Sequence, residues 1–248
     1  MESRERTLAG RLAVVREEMA RACERAGRSP DEVTLVAVSK THPPEVILEA
    51  VEAGARDFGE NRPEEAAPKI DAVAALTSAP LRWHMIGHVQ SRKARLVTRG
   101  YALLHSLDSV RLARRLDAYL SAQARALDVL LQVNVSGEAT KEGWDAYQWD
   151  MRSTLRAALW RDVEAVLALP SLRVRGLMTM APLAEEPETA RPVFAALRAL
   201  RDALREDFPR ADWNELSMGM TDDYPIAIEE GATLVRIGRA IFGARQAR

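Results

Sequence analysis

The run Val33-Thr-Leu-Val-Ala-Val38, followed at once by Ser39-Lys40-Thr41-His42, decides the fold. It is short, almost wholly apolar and rich in β-branched residues, which suits a strand buried on both faces of a parallel sheet. Pro43-Pro44 then open a helix over 44–53 and Gly54 closes it. Upstream, Leu8, Leu12, Val15, Met19 and Cys23 recur at spacings of three and four, predicting an amphipathic helix over 3–27. Downstream the alternation repeats. Strands are predicted near 56–59, 82–86, 102–106, 128–135, 173–178, 213–217 and 232–237. Helices fit near 63–75, 90–98, 109–125, 152–168, 187–206, 222–230 and 240–246. Strict βα alternation implies a parallel sheet with right-handed crossovers, and eight units in this length predict an α/β fold, a single (β/α)8 TIM-type barrel with an extra N-terminal helix. A doubly wound open sheet is the alternative. No Pro/Ser linker or low-complexity tract divides the chain, so residues 1–248 are expected to form one domain.

The 248 residues are 47% hydrophobic and 29% charged, enough apolar material for a core and too much for a disordered chain. The 35 basic and 36 acidic side chains leave a net charge of -1 with no long run of one sign, which argues against a nucleic-acid partner. One cysteine, Cys23, excludes an internal disulfide and a multi-cysteine zinc site, and leans the compartment towards reducing cytoplasm. The N-terminus lacks a signal-like apolar stretch, and nothing approaches a membrane span, so a soluble cytoplasmic protein is expected.

In such a barrel the C-terminal strand ends and the loops after them carry the chemistry. Those ends hold Lys40, Glu60-Asn61-Arg62, His88, His105-Ser106, Asn134, Thr179, Ser217-Met218-Gly219 and Arg236-Ile237-Gly238-Arg239. Only four basic residues are lysines, namely Lys40, Lys69, Lys93 and Lys141, and arginine cannot make the imine chemistry of an amine. Lys40 follows a buried strand, where desolvation would expose a neutral amine able to attack a carbonyl; an ordinary rim lysine with its head in water is the other reading. Ser217, Gly219 and Gly238 sit where barrels bind phosphate, after the last two strands, although tight turns and a helix cap by Thr221-Asp222-Asp223 explain the same residues. His84 and His88 straddle Gly87 at a strand end with no adjacent acidic ligand, a poor metal pattern, and no Gly-x-Ser-x-Gly elbow occurs. The segment 137–152 either covers the mouth or folds back on its own Trp144 and Trp149.

Leu35-Val-Ala-Val-Ser-Lys-Thr41, Phe58-Gly-Glu-Asn61, Trp83-His-Met-Ile-Gly-His-Val-Gln90, Leu216-Ser-Met-Gly-Met220 and Val235-Arg-Ile-Gly238, with shorter blocks between, run in one order over about 30–245. In these the chain resembles the pyridoxal phosphate homeostasis proteins. The resemblance implies a barrel similar to the N-terminal domain of alanine racemase, with pyridoxal 5'-phosphate as an aldimine on Lys40. It further implies that Ser217, Met218, Gly219, Gly238 and the backbone of Arg239 contact the phosphate, that Arg236 faces the pyridine nitrogen and that Asn61 lies beside the ring. Arg239 stands where the family commonly has Thr, Arg62 where it often has Tyr, and 144–165 is longer and richer in tryptophan.

A carboxylate at the ring nitrogen strengthens the cofactor as an electron sink, whereas an arginine disfavours the added proton. The chain also stops five residues after Gly243, without the C-terminal domain that gives alanine racemases their second base. The expectation is a carrier with little or no turnover, acting in storage and delivery, monomeric and handing cofactor to apo-enzymes. The alternatives are a racemase-type enzyme, with Tyr147, Tyr224 or a histidine as second base, and a cofactor-free Schiff-base aldolase.

Overall fold

The computed structural model describes residues 7–138, 140–182 and 186–243. Eight parallel strands close into a barrel: β1 (Thr34–Val38), β2 (Asp57–Glu60), β3 (Arg82–Met85), β4 (Leu103–Leu107), β5 (Leu127–Asn134), β7 (Leu172–Met178), β8 (Glu215–Ser217) and β9 (Leu234–Ile237). Each is hydrogen-bonded to the next, and β9 pairs back onto β1. The open-sheet alternative is thereby excluded.

A ninth strand, β6 (Trp144–Asp145), lies parallel to the end of β5, with Val133 beside Trp144 and Asn134 beside Asp145. Two residues carry no periodicity, so this strand was not visible in the 137–152 pattern. Nine helices are present among the described residues: α1 (Leu8–Arg25), α2 (Pro44–Glu52), α3 (Pro63–Leu76), α4 (Ala94–Val97), α5 (Val110–Ser121), α6 (Ser153–Leu167), α7 (Arg191–Asp207), α8 (Tyr224–Glu229) and α9 (Arg239–Phe242). The helix expected over 90–98 is a 3-10 turn, Ser91–Lys93, running into the single turn of α4. The start of the expected 3–27 helix and the end of the 240–246 helix lie outside the described residues.

Period-two alternation sorts the strand side chains into two cores. Leu35, Ala37, Phe58, Leu104 and Val235 pack outward against the helices. Val36, Leu103, Leu130, Met178 and Leu234 form a separate cluster inside the barrel. Helix α1 seats Leu12, Val15 and Met19 on the outer core, and Arg11 Nε donates to the Ile241 carbonyl at 2.7 Å. Among the described residues no helix is long and apolar enough to cross a membrane.

Candidate functional site

The strand registers gather the expected site residues at one rim. Val36 is level with Arg236, Ala37 with Ile237, Met178 with Ser217 and Ser217 with Leu234, so β1, β7, β8 and β9 end together. Lys40 lies two residues past Val38, on the interior side by alternation, and Thr41 turns the chain away with φ +69°. A buried clamp holds that turn from behind. Ser39 Oγ donates to Glu60 Oε1 at 2.7 Å, and Lys69 on α3 donates to the same oxygen at 2.8 Å and to the Ser39 carbonyl at 3.1 Å.

On the neighbouring strand end, Asn61 Oδ1 is buried and has no hydrogen-bond partner among the described residues. Asn61 is seated by close backbone approach, since a Cβ on Gly87 would lie 2.2 Å from its carbonyl oxygen. Ser106 Oγ fixes Gly87 in turn, donating to its carbonyl at 2.6 Å. A buried amide oxygen left without a donor costs free energy, about 1–3 kcal/mol, unless a ligand supplies the proton.

The β8–β9 end forms a cradle. Gly219 has φ +90°, and a Cβ there would come 2.6 Å from Ala227 Cβ, so only glycine lets the loop pass so close to α8. The Gly219 carbonyl accepts from Arg236 N at 3.0 Å, and Met220 N donates to Asp223 Oδ1 at 2.6 Å. Gly238 lies against Val38, where a Cβ would be 3.3 Å from the Val38 Cβ and carbonyl oxygen, which ties the cradle to the Lys40 strand. Met218 N donates to the Leu234 carbonyl at 3.2 Å and its side chain is buried in the outer core. The Arg239 guanidinium is engaged by Asp222 at 2.6 and 2.8 Å.

Arg236 is buried, donating from Nη1 to Ser217 Oγ at 2.5 Å and from Nη2 to the Thr179 carbonyl at 2.9 Å. Burial lowers its pKa to about 10, with the Asp223 carboxylate pulling the other way, so it remains a cation at neutral pH. The same Ser217 Oγ lies 2.8 Å from His105 Nδ1, and His105 Nε2 lies 2.9 Å from His84 Nδ1. His84 Nε2 donates to Asp57 Oδ1 at 2.9 Å. Burial, then the nearby His84 and Arg236, hold His105 well below the usual imidazole range.

His84 and His88 part company: His84 enters this interior file, while His88 pairs with Asp108 at 2.9 Å and Glu142 at 3.4 Å. Tyr224, offered as a second base, donates to Glu18 on α1 in the outer layer, so the structure removes it from the rim. The tryptophans of the 137–152 segment fold back on the protein itself. Trp144 Nε1 donates to Asp162 at 3.2 Å, and Trp149 stacks on Trp160 of α6 at 5.6 Å.

The sequence profile of the alanine racemase N-terminal domain family matches residues 11–246. A pyridoxal phosphate homeostasis protein of Aquifex aeolicus is 42% identical over 236 residues, covering 95% of this chain and 97% of its own. Its Escherichia coli K12 counterpart is 42% identical over 242 residues, covering 96% and 97%. The chain belongs to the pyridoxal phosphate homeostasis family. Among solved structures, that of PipY of Synechococcus elongatus with PLP bound superposes with TM-score 0.80 at 38% identity, covering 96% of this chain and all of that one. The histidine racemase of Leuconostoc mesenteroides shares the fold at 19% identity and TM-score 0.68, with 97% of this chain aligned to 58% of the racemase.

Within this family chain, Asp57, Lys69 and Ser39 were not singled out as site residues by sequence. An aspartate in an otherwise buried strand and a lysine retained in a chain with only four were the available signals.

Proposed function

We propose that the protein binds pyridoxal 5'-phosphate at this rim, held covalently as a Schiff base through Lys40 Nζ, and stores and delivers it without turnover. The carrying observation is the convergence of the Lys40 strand end with the Ser217–Arg236 cradle and the unpartnered Asn61 Oδ1. The residues fit the cofactor: Ser217, Gly219, Gly238 and the backbone of Arg239 receive the phosphate, Met218 spaces that loop, and Asn61 accepts or donates beside the ring. When bound, this cofactor supplies an electron sink for carbanions. Here the side chain offered to the ring nitrogen is Arg236, a buried cation, which disfavours the ring proton on which that sink depends.

The relatives named for cofactor homeostasis support the storage role. A reducing cytoplasm, a monomeric state and apo-enzymes as recipients complete the proposal, the first on the ground that the single cysteine, Cys23, allows no internal disulfide.

The test is the visible spectrum of purified protein with added cofactor, before and after borohydride, for wild type and Lys40→Ala. A yellow band fixed by reduction onto the Lys40 peptide, and no activity against a panel of D- and L-amino acids, is the expected result. A robust racemase, decarboxylase or transaminase activity lost in Lys40→Ala would overturn the carrier reading. A colourless wild type that traps an aldehyde substrate would favour the aldolase.

A further inference from the structure

The file Asp57–His84–His105–Ser217–Arg236 crosses the barrel from one end to the other, and its hydrogen-bond direction is set at both ends. Arg236 can only donate, so Ser217 Oγ accepts from it. The Asp57 carboxylate accepts from His84 Nε2–H, and Arg82 also engages it, at 2.7 and 2.9 Å. With both imidazoles neutral, His84 Nδ1 must accept from His105 Nε2–H. His105 Nδ1 must then accept the Ser217 hydroxyl proton. In that state the Ser217 proton points into the barrel and cannot meet an anion in the cradle.

A single added proton reverses the file. His84 becomes an imidazolium beside Asp57 and donates from Nδ1. His105 stays neutral but moves its proton from Nε2 to Nδ1 and donates to Ser217 Oγ. The hydroxyl hydrogen of Ser217 is then released towards the rim. Proton count balances: the Ser217 proton passes to His105 Nδ1, the His105 Nε2 proton passes to His84 Nδ1, and Ser217 is reprotonated by a monoprotonated phosphate ester or from bulk water. No heavy-atom bond changes. Phosphate esters have a second pKa of about 6, so both ligand protonation states occur near neutrality.

Resting on the cofactor reading above, we propose that His84 and His105 are positioning residues for the Ser217 hydroxyl, and that phosphate binding in the cradle reverses the file and stores one proton on His84. His84 lies against a carboxylate, whereas His105 has the Arg236 guanidinium nearby. His84 lines a cavity of about 310 Å³ at the N-terminal end of the barrel. Asp57 and Arg82 bear on it directly, and the cavity adds Asp128, Asp212 and Glu215 against Arg175, with Arg173 also paired to Asp128 at 2.5 Å, an excess of one carboxylate in all. His105 is fully buried with Arg236 nearby, and burial disfavours its charged form. The relay therefore places the added proton on the ring next to the Asp57 carboxylate rather than on the one near Arg236.

The chain has four histidines, His42, His84, His88 and His105, so histidine-selective ¹⁵N labelling of the full protein reads each tautomer directly. Spectra would be taken of the free protein, with pyridoxal 5'-phosphate, with pyridoxal, and with inorganic phosphate. The expected result is neutral Nε2–H at both His84 and His105 in the free state, then Nδ1–H at His105 and two protons on His84 with either phosphate-bearing probe. Pyridoxal, which lacks the phosphate, leaves the file unchanged. A His105 proton that stays on Nε2 upon loading, or already sits on Nδ1 beforehand, overturns the proposal.

A binding measurement supplies a second arm. From pH 7 to 8.5 the ratio of pyridoxal-phosphate to pyridoxal affinity falls about tenfold per pH unit in wild type, the slope of one linked proton, and is flat in His84→Gln. Equal slopes in the two proteins overturn the relay while leaving the cofactor reading intact. Absence of the yellow band in wild type overturns the cofactor reading, and tautomer switching with inorganic phosphate alone would then preserve the relay.

Discussion

The ammonium of Lys69 donates to a carboxylate oxygen of Glu60 at 2.8 Å, in a pair where the lysine side chain is 11% exposed and the glutamate 2%. Because the same ammonium also holds the Ser39 carbonyl, a helix on the outer layer fixes the backbone from which Lys40 projects. Removing one partner strands a buried charge, which costs about 3–5 kcal/mol, whereas removing both costs far less. Lys69→Met should therefore lower unfolding stability by about 3 kcal/mol, and the double variant Lys69→Met/Glu60→Gln should recover most of it in urea denaturation. If the single and double variants are equally unstable, the pair is not what holds this end of β1.

Gly219 makes a second, local demand. With φ +90° and Ala227 Cβ in the way, Gly219→Ala combines backbone strain with overpacking, each worth about 1–3 kcal/mol. Cofactor affinity should fall at least tenfold, read from the visible titration. Gly238→Ala, with φ in the ordinary range and contacts of 3.3 Å, should fall by less.

Acid should weaken the fold through Asp57. Burial pushes its pKa up, but the hydrogen bonds and charges of His84 and Arg82 outweigh burial and leave the carboxyl below its usual range. The unfolded chain then binds more protons, so this contribution is complete above about pH 4 and disappears as pH falls through the depressed folded value. Asp57→Asn should flatten stability against pH in that window, measured by urea midpoints at successive pH values.

His42 acts at milder pH. It is half-buried and stacks on Phe242 at 4.8 Å, and burial, followed by the Lys69 charge, lowers its pKa against an opposing pull from Glu60. The folded state favours neutral imidazole, so the contribution is present above about pH 6.5 and is lost as pH falls below it. His42→Phe keeps the stack and should remove that part of the slope between pH 7 and 5.

In the tryptophan segment, Arg156 lies 4.7 Å from the Trp160 ring centre and 5.6 Å from that of Trp149. Its side chain is partly exposed, so Arg156→Ala should cost about 0.5–1 kcal/mol and shift tryptophan emission while leaving cofactor binding unchanged. A change in cofactor affinity would mean that this segment reaches the rim after all.

The barrel was legible in the sequence because its signal is local: buried β-rich runs, helix periodicity and the proline and glycine stops all act within a few residues. Lys40 and the glycine loops were legible for the same reason, each being an unusual residue at a strand end. Other features were decided only by the tertiary structure. Strand β6 is two residues held by pairing with β5, too short for any period. The direction of Tyr224, towards α1 rather than the rim, depends on which side of a short helix meets Glu18. The file from Asp57 to Arg236 draws its members from β2, β3, β4, β8 and β9, separated by up to 112 residues between His105 and Ser217. Spacing along a chain encodes which face a side chain takes; closure of the barrel decides which side chains from distant strands meet at hydrogen-bond distance.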